Sequence, residues 1–533
     1  MKQIKILAAI LLLASCAPKQ EKVDETAHLG VINYKYTISE AAKSDFEKGL
    51  LLLHSFEYDD AKEAFIAAEK EDSTEIMAYW GEAMANYKAL WGLQDVPAGR
   101  EVMAKIGATK EERLGKITDE LERGFWEGIE ILYGDGELKD RNSKYADHMK
   151  TLYDKYPHDQ EIAAFYALGL MWADYDNQDN LNKSAEVVAG IIKENPTHPG
   201  ALHYMIHAND DPEYAKVAIN AANKYAKVAP DATHALHMPS HIYVALGMWN
   251  EAVSSNEASY AASLKRMEQK GLSGKARGYH SMAWLHYGYL QQGRYDKAEE
   301  LLREMISYNL DSTASLSYTL TMQNEQRIES GKWIEGIEPV DVNYNNLGLS
   351  DKSAKHFFNS LMAFDKGDVQ GIKTEISTLK DHAAAAELIV TEDGITLCSS
   401  GPTRYAPSKT GIIRTNVVIN QMEALKAMLE NNDLLVEEHL LKAIKLEDES
   451  GYDSGPPFIA YPSYEQYGDW LLTKNRLEEA LTQFNNSLIK RTNRAKALKG
   501  KIQALTMLNR LEEAKEVQQI LDVFTNQDLV AKI

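Results

Sequence analysis

The sequence predicts an all-α fold, a tetratricopeptide-type α-solenoid of antiparallel helix pairs, and three observations predict it. Apolar residues recur at intervals of three and four along almost the whole chain, with little strand-like alternation. Small residues return at a 34-residue period, from Ala218 to Ala252 and from Ala480 to Ala514. A turn signature, Gly247-Met-Trp-Asn-Glu-Ala252, recurs as Gly293-Arg-Tyr-Asp-Lys-Ala298. In each, the glycine marks the turn inside a repeat, and the alanine lets its second helix approach the first. With 533 residues the chain exceeds one compact core and suits a repeat array or several units.

Composition removes other classes. The chain is 44% hydrophobic and 26% charged with 14 Pro and 32 Gly, which fits neither a disordered nor a collagen-like protein. Lys and Arg total 58 against 79 Asp and Glu, a net charge of −21, so a phosphate backbone would be repelled and no nucleic-acid partner is expected. Two cysteines cannot build a disulfide framework.

Taken in order, the elements begin with an address. Lys2 and Lys5 precede an apolar run over residues 6–13, too short to span a membrane, so residues 1–15 read as a secretory signal peptide. Leu13-Ala-Ser-Cys16 resembles the lipobox of bacterial lipoproteins. The resemblance implies cleavage before Cys16, acylation of its thiol with fatty chains such as palmitate, and a lipid anchor in the cell envelope. Ala17 is not the Asp that commonly retains such proteins at the inner membrane, which favours the outer one. Residues 16–40 are polar and patternless and read as a lipidated tether. Cys398 is then a lone thiol, expected to be buried rather than catalytic.

A histidine-bearing array is expected over residues 41–325. Its first repeat carries Gly49, Ala61, Phe65 and Ala68 at tetratricopeptide spacing, and Pro230 stands where a later repeat ends. A second array is expected over residues 326–533, with the division resting on Gly331 and the asparagines of 343–346. Gly451-Tyr-Asp-Ser-Gly-Pro-Pro457 reads as a loop between repeats. Beyond the repeat itself, Ala78-Tyr-Trp-Gly-Glu-Ala-Met-Ala85, the stretches His198–His207 and His234–Ile242, and the tail from Pro456 to Arg494 are similar to a family of bacterial tetratricopeptide lipoproteins with a His-rich segment. The resemblance runs from about Asp45 to the end. It implies the fold and carries no settled activity.

The histidines hold the functional signal. With Ala218 and Ala252 at the twentieth place of their repeats, His203 and His207 fall on places five and nine, and His234, His237 and His241 on places two, five and nine. With Ala298 as the next such alanine, His280 falls on place two. In these arrays such places face the concave groove. At about 100° per residue, His203 and His207 lie about 40° apart on a helix and the other three within about 60°. Histidines of neighbouring inner helices can therefore converge on one transition metal, zinc or copper first, with iron and nickel admitted by the same chemistry. His54, Glu161 and Trp80 are placed along the groove as well, although a Trp there more often packs than binds. Asp210 is the candidate general base for metal-bound water. Asp211, before Pro212, reads as a helix cap.

Alternatives stay open. Pro239 can interrupt the helix and leave His234 and His237 in a loop. The same residues could line a polar groove for a peptide or a small acid, or share no role. His286 falls on a packing place and reads as a core histidine. No phosphate-binding glycine loop, His-Glu-x-x-His signature or Gly-x-Ser-x-Gly elbow is present. The expectation is a membrane-anchored binding or assembly lipoprotein that takes a protein or peptide in its groove and binds a transition metal at its histidines. The alternative is a metal-dependent envelope enzyme at the same cluster.

Overall fold

The structure, a computed structural model, describes residues 26–91, 93–308, 313–340, 343, 347–388, 390 and 407–526. The signal peptide, Cys16, Cys398 and most of the asparagines of 343–346 lie outside these. The chain opens with α1 (Lys43–His54), α2 (Tyr58–Glu71), α3 (Ile76–Ala85), α4 (Val96–Ile106), α5 (Lys110–Gly115), α6 (Glu120–Leu132), α7 (Leu138–Lys155), α8 (Gln160–Ala173) and α9 (Gln178–Glu194). The histidine-rich stretch follows as α10 (Pro199–His207), α11 (Ala215–Val228), α12 (Thr233–His237), α13 (Pro239–Ala245), α14 (Trp249–Lys270), α15 (Tyr279–Gln291) and α16 (Tyr295–Ser307). Then come α17 (Thr313–Ser330), α18 (Leu349–Asp365), α19 (Val369–Glu387), α20 (Lys409–Leu429) and α21 (Asp433–Glu449). The chain closes with α22 (Ser463–Thr473), α23 (Leu477–Lys490), α24 (Ala495–Met507) and α25 (Leu511–Thr525). Among the described residues the one sheet is a two-stranded antiparallel pair, Tyr87–Lys88 with Leu93–Gln94. No helix among them is long and apolar enough to cross a membrane.

Local chemistry sets the helix ends. Asp159 accepts from the backbone of Glu161 and Ile162, Asn177 from Asp179 and Asn180, and His198 from Ala201 just ahead of the first-turn Pro199. Successive helices pack as antiparallel neighbours through small residues. Phe65 sits so close to Gly49 and Gly81 that a Cβ on either would come within 2.8 or 2.3 Å of its ring, and Phe484 meets Gly468 and Gly500 in the same way. The repeat alanines Ala218, Ala252, Ala298, Ala480 and Ala514 are all buried. These features make the fold an all-α solenoid of helix pairs.

The last repeats return to the middle of the first array. Nε1–H of Trp249 donates to the Asn493 carbonyl at 2.8 Å, and the Ala495 N–H donates to Gln291 Oε1 at 2.8 Å. Gly247 has φ +66°, and a Cβ there would lie 2.4 Å from the Thr492 carbonyl oxygen, so both turn and contact require glycine. One hydrophobic core consequently includes Leu29 near the start and Phe524 near the end.

Two boundaries differ from the sequence reading. Helix α17 runs straight through residues 325 and 326, where the division between arrays was expected. The supposed tether is partly docked: Leu29, Tyr36 and Ile38 are buried, and the Val31 N–H donates to the Thr197 carbonyl at 3.0 Å. Ile32 and Tyr34 pack against the same core, though these residues make no periodic pattern.

Candidate metal centre

Three helical segments bring the histidines together. Helix α10 supplies His203 and His207, the α12–α13 segment supplies His234, His237 and His241, and α15 supplies His280. Pro239 does end α12, yet Met238 keeps right-handed helical angles (φ −53°, ψ −36°), and Pro239 takes the first place of α13. His237 and His241 thus stay one turn apart on one face, with Nε2 atoms 3.1 Å from each other. Two nitrogens bound to one tetrahedral zinc are about 3.3 Å apart by the usual bond lengths.

The six imidazoles form two triads. Ligand nitrogens of His203, His207 and His234 all lie within 4.8 Å of one another, and so do those of His237, His241 and His280. The triads adjoin, with ring centroids of His207 and His241 6.1 Å apart and those of His234 and His237 6.0 Å apart.

Hydrogen bonds at the far side of the rings fix which nitrogen is bare. His203 Nδ1–H donates to the His54 carbonyl at 2.8 Å. His237 Nδ1–H donates to Asn256 Oδ1 at 2.7 Å, and the Asn256 amide is oriented by its own donation to the Ala252 carbonyl at 2.8 Å. His241 Nδ1–H donates to Asp210 Oδ2 at 2.6 Å. In each ring Nε2 then faces the triad, an arrangement that orients an imidazole as a ligand. Nε2 of His203, His234 and His280 and both ring nitrogens of His207 are buried with no hydrogen-bond partner among the described residues. Burial first, and then neighbouring imidazoles, push the pKa values of His203, His207, His234 and His237 well below the ordinary histidine range. His280, with burial the main cause, is lowered to about 3. Neutral imidazole is the ligating form.

Aromatic walls enclose both triads. Phe56 stands 4.3 Å from His203 and 5.8 Å from both His207 and His234. Its φ is +56°, a rare conformation for a bulky residue. Trp284 covers the second triad, 4.4 Å from His241 and 4.8 Å from His237. The loop 451–457 lies over Trp284 in turn: a Cβ on Gly455 would fall 2.3 Å from its ring, and Ser454 Oγ–H donates to the Asp210 carbonyl at 3.4 Å.

This covering corrects the groove picture. His203, His207 and His241 have no exposed surface, and His237 is 1% exposed; His234 and His280 retain only a partly exposed edge. The repeat places predict which way the rings face, and that face is filled by aromatics and by the second array. Trp80 is core, 1% exposed and edge-on to Phe125 and Phe165. His54 and Glu161 are buried too, in a third group completed by His198, which sequence spacing did not single out. Glu161 accepts from His54 Nε2 at 2.7 Å and from His198 Nε2 at 3.2 Å, while His198 Nδ1 accepts from the Ala201 N–H. Burial alone would raise the Glu161 carboxyl, but the two imidazoles overcome it and hold the group at about 2. Glu161 thus bridges His54 and His198 in a buried cluster whose ligand atoms also lie within 4.8 Å of one another. His286 is buried beside Gln326 and Glu325, as its packing place predicts. Trp284 escaped the sequence reading, although its place four residues after His280 was a usable signal.

No family model matches this chain, and no curated protein matches it. Solved structures similar to it include yeast Tom70, at 14% identity over 93% of this chain and 92% of that one, with a TM-score of 0.30. The tetratricopeptide domain of P58(IPK) is 12% identical over 88% and 98%, with a TM-score of 0.23. Ypp1 is 12% identical over 92% and 86%, with a TM-score of 0.39. The helical-repeat architecture stands on the chain's own helices.

Proposed function

We propose that this chain is a lipid-tethered helical-repeat metalloprotein of the cell envelope, holding a pair of transition-metal ions in its two histidine triads. One observation carries the reading: ligand nitrogens of six imidazoles converge in threes, and those of His203, His207, His234 and His280 meet no protein partner among the described residues, a costly arrangement unless a cation accepts their lone pairs. The His237–His241 contact adds to it, because two rings that both donate through Nδ1 must share either an extra proton or an ion between their Nε2 atoms. Imidazole suits zinc, copper, iron and nickel. Three nitrogens leave a coordination position for exchange, and a metal bound there supplies Lewis-acid or redox chemistry to whatever takes it.

That open position admits the enzyme reading as the alternative. The helical-repeat fold itself suits protein binding or assembly, and a protein or peptide partner would then dock away from the filled histidine face. The envelope setting rests on the lipobox-like Leu13–Cys16 segment, and the acidic charge leaves nucleic acid out of the proposal.

Metal analysis of tag-free protein tests the reading, with about two ions per chain expected after reconstitution. His207→Ala and His241→Ala should each lower the count. Metal should raise the melting temperature of the native chain and raise it less in the variants. A chain that takes up none of zinc, copper, iron or nickel sinks the proposal.

A further inference from the structure

A cavity of about 140 Å³ lies beside the second triad, among α15, α17, α18, α20 and the loop after α21. His280 and Trp284 form one wall, so this wall is shared with the histidine centre. Phe357, Val418 and Phe458 make the opposite side apolar and in part aromatic.

Two buried acceptors of the cavity wall lack partners among the described residues. Gln421 is fully buried; its Nε2 donates to the Tyr461 carbonyl at 2.5 Å, which fixes the amide and leaves Oε1 without a partner among the described residues. Asn324, 1% exposed, repeats the pattern: its Nδ2 donates to the carbonyls of Leu320 and Ala354 at 2.9 and 2.8 Å, and Oδ1 has no partner. Neither amide can flip without losing its donations. The cation in the wall, Arg414, lies 2.6 Å from Asp453, and Asp351 and Glu325 also line the space, so acidic groups outnumber it there even though its Nε and Nη2 meet no hydrogen-bond acceptor among the described residues. A fitting occupant must be flat and apolar in body and must bring hydrogen-bond donors to meet two stranded oxygens.

We infer that this cavity binds a small uncharged aromatic molecule of the phenol class, donating its hydroxyl to Gln421 or Asn324 beside the second histidine triad. The site deepens the metalloprotein reading by naming what comes to the metal, but the cavity binds its ligand through its own walls.

Calorimetry of the full chain, metal-stripped and metal-loaded, with phenol and with anisole tests this. Phenol should bind saturably to the metal-stripped chain, and anisole, which lacks the donor, at least about tenfold more weakly. Ala354→Trp and Thr321→Trp, which fill the cavity, should abolish binding while metal uptake is unchanged, and Gln421→Leu should weaken phenol about tenfold. Anisole binding as tightly as phenol, or undiminished binding in both filled variants, overturns the inference, as does no binding to either form. A chain that binds phenol so but takes up no metal would retire the metal reading and leave the cavity standing; metal uptake without phenol binding would do the reverse.

Discussion

Asp210 receives the Nδ1–H of His241 at 2.6 Å, which orients that ring, while its Oδ1 is buried and unpartnered. Geometry therefore gives it first a positioning role. Asp210→Asn should weaken metal at the second triad by about 10–100-fold and leave the first triad intact; chelator competition reads both. Turnover lost with affinity unchanged would instead restore the base. The histidines also set a pH dependence in the metal-free protein. Burial holds five of them below the value near 6.5 that they regain on unfolding. The unfolded chain thus binds more protons as pH falls, and stability should decline from about pH 6.5 downward, for His280 to about pH 3. Urea melts at successive pH values check this, and equal midpoints at pH 7.5 and 5.5 would contradict it. At this scale the gathering of the six histidines was legible, because helical spacing and repeat places align them. Asn256 and the His54 carbonyl were not, since they touch the imidazoles across distant or unrelated turns.

Among the elements, loop 451–457 offers a clean contrast. Gly451 has φ +77° with open space around it, whereas Gly455 has φ +147° and Trp284 within 2.3 Å of a would-be Cβ. Gly451→Ala should cost only the backbone strain, about 1 kcal/mol. Gly455→Ala should cost about 1–3 kcal/mol more, because the indole or the loop must also move. Denaturant midpoints measure the difference, and equal costs would mean that the loop does not press on Trp284. Helix pairs were readable from the sequence because close packing demands small residues at fixed places, as Gly49 and Gly81 against Phe65 illustrate. The docked segment around Tyr36 was not, since an extended strip that buries Leu29, Tyr36 and Ile38 leaves no period to detect.

Across the whole molecule, the last repeats are bolted to the middle of the chain at Arg494. This guanidinium is fully buried, 2.7 Å from Glu465, and pairs with Glu329 and with the Tyr287 hydroxyl. Arg494→Ala should cost about 3–5 kcal/mol, because two carboxylates would be left uncompensated in the interior. A loss below about 1 kcal/mol would show the pair to be solvated. No local pattern announces such a contact, since Arg494 and Tyr287 lie 207 residues apart. The all-α class was therefore legible and the closure of the array was not, and with it went the burial of the histidines.

That closure has a consequence in time. The loop that seals Asp210 and Trp284 is made well after His280, by about 10–30 s at ordinary synthesis rates of about 5–20 residues per second. A growing chain would present its imidazoles openly and then shut them in. Under the proposed metal reading, ions would enter early and leave late, so the finished protein should exchange metal with a half-life set by loop opening rather than by ligand affinity. Isotope exchange should accordingly run faster in Gly455→Ala than in the native chain, at equal metal content.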